Sequence, residues 1–62
     1  MRVPVKEKAR SYMEASGVDE ALSNAMIVKC AWERYEFDTD EEFKEHQDYW
    51  DEVAKEIYKY VK

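Results

Sequence analysis

Side chains able to do acid–base, nucleophilic or metal chemistry are few in this chain, and their spacing serves none of those ends. Glu42 and His46 stand four residues apart on an expected helix and could hold half a metal site. Completing it would need Cys30, the one cysteine, to fold across. Asp38, Asp40 and Glu42 alternate like the opening of a calcium loop. Phe43 stands where that loop needs glycine, and Tyr49 where it needs a bidentate glutamate, so the pattern fails. Ser11, Ser16 and Ser23 lie in or beside expected helices without the glycines that expose a nucleophile, and Cys30 sits amid apolar residues, where thiols are inert. His46, flanked by Glu42 and Glu45 on an expected core stripe, reads as a boundary histidine hydrogen-bonded to a neighbour, with a pH-sensitive contact as the alternative. The expectation is a non-enzyme, without a metal or a cofactor.

The chemistry that does stand out is charge. The net charge is −5, and residues 36–56 hold ten acids against Lys44 and Lys55. Residues 1–35 are nearly balanced, with six bases and five acids. On a helix, Glu41, Glu45, Asp48, Asp51 and Glu52 cluster on the side away from Phe43, Trp50 and Ile57. Glu41–Glu45 and Asp48–Glu52 are like-charge i,i+4 pairs, each costing roughly 0.2–0.5 kcal/mol. Tyr49 and Tyr58 border this face and suit an interface, being apolar with a polar tip. Two readings compete for it: a solvated face that keeps the chain soluble, or a surface that engages a basic patch on another protein.

These residues must be positioned by helices. Sixty-two residues make one domain, 1–62, near the lower size limit for unaided folding. Pro4 suits the first position of a helix over about 4–16, which Gly17 closes in the left-handed conformation. A second helix is expected over 19–36. Its stretch Ala25–Trp32 is apolar at every position but Lys29, so it is expected to be the central element that the others pack against. Ala21, Leu22, Ala25, Val28, Trp32 and Tyr35 share one stripe, while Ile27 and Ala31 fall nearly opposite and form a candidate dimer face. Thr39 and Glu42 predict a capping box, clasped by Phe37 and Phe43, at the head of a third helix over 40–61. That helix carries a seven-residue apolar repeat through Phe43, Trp50 and Ile57. With no hairpin signal, the chain reads as an all-α three-helix bundle with antiparallel neighbours and a helix-mediated homodimer as an option.

A lone cysteine, no secretory segment and no apolar run near 20 residues predict a cytoplasmic protein, and the initial Met1 suggests a whole small reading frame. The expected function is a regulator or inhibitor that docks its acidic, tyrosine-flanked third helix on a basic partner surface. If that surface normally binds nucleic acid, the helix acts as a nucleic-acid mimic. In size and charge the chain resembles small phage-encoded host-takeover proteins, which implies a viral protein acting in host cytoplasm. A structural homodimer with a merely solvating acidic face is one alternative. The other is weak nucleic-acid binding through Arg2, Lys6, Lys8 and Arg10, although a contact between these bases and the acidic helix accounts for them equally well.

Overall fold

Pro4 and Gly17 set the bounds of the first helix, each one step away from its expected role. A computed structural model describes residues 2–61. In it α1 spans Val5–Ser16, with Pro4 extended at φ −54° and ψ 145° as its cap instead of its first helical residue. The Pro4 carbonyl accepts from the Lys8 N–H at 3.0 Å. Gly17 adopts φ 83° and ψ 167°, a region close to glycine-only but not the expected left-handed helical one. Its N–H donates to the Met13 carbonyl at 2.8 Å, and its own carbonyl accepts from Ala21 N–H at 2.9 Å. One residue therefore ends α1 and opens α2, Val18–Ala31.

The second helix is shorter than the expected 19–36. It stops at Ala31 because Trp32 turns extended, at φ −104° and ψ 127°. A 3-10 turn, Arg34–Glu36, follows, with Glu33 and Glu36 forming a reciprocal capping box. The break swings Phe37 back across the tip of the bundle, where its ring lies 5.2 Å from His46 and 5.6 Å from Phe43. Unbroken helix through residue 36 would carry Phe37 past those partners.

Next, α3 spans Asp40–Tyr58, capped by Thr39, whose hydroxyl oxygen accepts from the Glu42 N–H at 3.1 Å. Of the expected box, this is the bond that forms. Residues 59–61, expected in the helix, leave it as a turn, with Tyr60 N–H bonded to the Ile57 carbonyl at 2.9 Å.

All three helices pack against one another in an all-α bundle. Val28 and Lys29 meet His46, Gln47 and Asp51, while Leu22 and Met26 meet Ala54 and Tyr58, so α2 and α3 run antiparallel. The core corrects the expectation that α2 is central. Ala9 of α1 and Ala21 and Ala25 of α2 are fully buried, and the bulk between them comes from Trp50, Val53 and Ile57 of α3. Small residues on two helices let their backbones approach, and α3 fills the seam. Met26, Ile27 and Trp32, the large members of the apolar stretch, remain 48–60% exposed.

Candidate docking face on the third helix

The heptad that turns Trp50, Val53 and Ile57 inward leaves the other side of α3 to solvent. Glu41, Glu45, Asp48 and Glu52 follow at steps of four, three and four, and all four are exposed. They form a row about 16 Å long at the 1.5 Å rise of a helix. Among the described residues, no salt bridge reaches Glu41, Glu45 or Asp48, while Glu52 has Lys55 at 3.9 Å.

Asp51 does not belong to this row. It lies on the flank beside α2, 3.2 Å from both Lys29 Nζ and Lys55 Nζ. Hydrogen bonds from those two ammonium groups hold its carboxyl below the ordinary value, and Asp51 in turn raises the Lys55 pKa. Tyr58 shares that flank, 66% exposed, beside a shallow groove of about 310 Å³ lined by Leu22, Met26 and Ala54. The seven residues singled out in the sequence thus divide: Glu41, Glu45, Asp48, Tyr49 and Glu52 stand together, and Asp51 and Tyr58 stand apart.

Tyr49 is half-buried and already engaged. Its hydroxyl donates to the Val3 carbonyl at 2.6 Å, and the Arg2 guanidinium lies 4.9 Å from its ring centroid. Burial pushes its phenol pKa up, and the nearby Arg2 charge partly opposes that. Arg2, Glu45, Asp48, Tyr49 and Glu52 line one open concavity of about 360 Å³. An arginine therefore rests on this face in the folded chain. Farther along α1, Lys6 and Arg10 share a groove of about 260 Å³ with Met13, Glu56 and Tyr60. Three of the four bases of the N-terminal segment, Arg2, Lys6 and Arg10, thus lie beside α3.

His46 is buried, with Nε2 3.3 Å from the Val28 carbonyl, to which its Nε2–H tautomer donates. That bond ties α3 to α2, and the Trp32 and Phe37 rings wall the imidazole in at 6.2 and 5.2 Å. Cys30, expected amid apolar neighbours, is exposed on the outer side of α2, as are Ile27 and Ala31. Among the described residues no three His, Cys, Asp or Glu side chains gather closely enough to hold a metal ion, and no helix is long and apolar enough to cross a membrane. The chain matches no protein-family model, no curated protein and no solved structure.

Proposed function

We propose that the protein is a regulator or inhibitor that presents the Glu41–Glu45–Asp48–Glu52 row of α3 to an arginine- or lysine-rich surface of another protein. The observation that supports this most directly is the Arg2 guanidinium on Tyr49, in a concavity walled by Glu45, Asp48 and Glu52. A face that accommodates one arginine over an aromatic ring, with carboxylates around it, offers what a basic partner needs. Its action would be occlusion: the row steers the partner in by long-range attraction and then covers its basic site. Where that site ordinarily holds a phosphate backbone, the carboxylate row stands in for it. Work in the cytoplasm of a host cell suits the same reading.

The test compares the wild type with an Asp48→Lys variant that also carries Glu45→Lys and Glu52→Lys. Immobilised wild type should retain a basic protein from extract of the source cell, and the reversed variant should not. The Kd for that protein should weaken about tenfold or more as salt rises from low to physiological strength, since exposed charges are screened beyond about 8 Å there. Equal retention by both forms, or a salt-independent Kd, would remove the reading.

A further inference from the structure

The chain brings its own occupant to the acidic face. Residues 2–4 precede α1 as a short non-helical arm, and Pro4 sets its course. The proline ring disfavours helical conformation at Val3, so α1 cannot absorb the arm. With Pro4 at ψ 145° the chain leaves the path of α1 and lies against α3 instead. There the Tyr49 hydroxyl donates to the Val3 carbonyl at 2.6 Å, and the Arg2 guanidinium lies 4.9 Å from the ring centroid. Glu45, Asp48 and Glu52 line the same concavity, yet among the described residues none forms a salt bridge with Arg2. Arg2 and Val3 are exposed. The polar contacts that hold the arm are thus one hydrogen bond and one cation–π contact, both of a kind that water readily replaces.

We propose that this arm is an autoinhibitory strap, in which Arg2 holds the place over Tyr49 that an arginine of the basic partner takes on docking. The inference rests on the proposed function, because a strap matters only where the face beneath it binds. A second guanidinium brought beside the first would meet its charge at close range, so partner and arm compete for the ring. The partner then binds only molecules whose arm has lifted, and its apparent Kd is raised accordingly. A lone arginine gains over the ring only what Arg2 gives up, and Arg2 has the advantage of its tether. A successful partner must bring further cations to Glu41, Glu45 and Asp48, so the strap tunes the face toward clustered arginines. Arginine suits the seat better than lysine, because a planar guanidinium lies flat on a ring while its N–H fork meets carboxylates at the rim.

Hexaarginine peptide is the probe, titrated by calorimetry into wild type, Arg2→Gln and Arg10→Gln. Arg2→Gln should tighten the peptide Kd about threefold or more, as expected for release of one exposed cation–π contact. Arg10→Gln removes the same charge from the groove beside Glu56 and Tyr60, and should change the Kd less than about twofold. In the free wild type the Arg2 side-chain protons should resonate upfield under the Tyr49 ring current, and return to free-arginine positions as the peptide saturates. Hexalysine should bind Arg2→Gln more weakly than hexaarginine does, and equal binding would overturn the choice of arginine. Equal tightening by Arg2→Gln and Arg10→Gln would reduce the effect to net charge and overturn the strap. So would an Arg2→Gln Kd that is unchanged or weaker, or Arg2 protons that stay upfield at saturation. The triple reversal Glu45→Lys, Asp48→Lys and Glu52→Lys separates the two readings. If it binds hexaarginine as wild type does, or if no form binds, the row itself is removed. If it abolishes binding that Arg2→Gln does not tighten, the strap alone is removed.

Discussion

Asp51 shows how one residue can look like part of a site and be part of the frame. Its place among the acids of α3 suggests a docking role, but Lys29 and Lys55 both bond it, and the first of these comes from α2. Its carboxyl is held below the ordinary 3.8. A group with a depressed folded pKa adds stability that is full above the unfolded value and lost as pH falls through the folded one. Asp51→Asn should therefore lower the urea midpoint at pH 7 and flatten its decline below pH 4, while leaving the proposed basic partner bound. Equal midpoints for the two proteins at pH 7 would show that the pair contributes nothing to stability. The sequence could place Asp51 on the outer half of α3, since the heptad is strong. It could not reveal Lys29 opposite, because that contact depends on how α2 and α3 are rotated about their axes.

Gly17 decides the layout of the elements. It is the single residue between α1 and α2, and its φ of 83° with ψ of 167° belongs to a region that side-chain-bearing L-residues avoid. A Cβ there would meet nothing within 4 Å, so the penalty is backbone strain alone. Gly17→Ala should cost about 1–3 kcal/mol in urea unfolding, and D-alanine at the same position in a synthetic chain should recover most of it. If D-alanine is as harmful as L-alanine, crowding and not φ is responsible. At this scale α3 was the most legible element: Thr39 caps it and the Phe37–Phe43 clasp forms, because capping and periodicity are local. The length of α2 was not legible, since its end at Ala31 is set by Phe37 returning to a partner on α3. Nor was its role, for an apolar stretch does not disclose that Ala25 faces inward while Met26, Ile27 and Ala31 face out.

On the scale of the whole molecule, the N-terminal arm closes the structure upon itself. The Tyr49 hydroxyl reaches Val3 across 46 positions of sequence, and Arg2 lies over the same ring. Tyr49→Phe keeps the ring and removes the one hydrogen bond. It should lower stability by about 0.5–1.5 kcal/mol and speed amide exchange at residues 8–11, the first bonded amides of α1, more than at the α2–α3 contacts. Uniformly faster exchange along the chain would show that the bond supports the bundle in general and not the arm. Charge alone hinted at this closure; which tyrosine receives the arm follows only from the path of α1 beside α3. The three fully buried alanines carry a consequence for how such a chain can diverge. Where a bundle is held close by its smallest side chains, replaceability runs opposite to size: an extra methylene at Ala9, Ala21 or Ala25 pries backbones apart, whereas a bulky residue that faces water can be exchanged without moving a helix. Descendants of this protein would keep these three alanines.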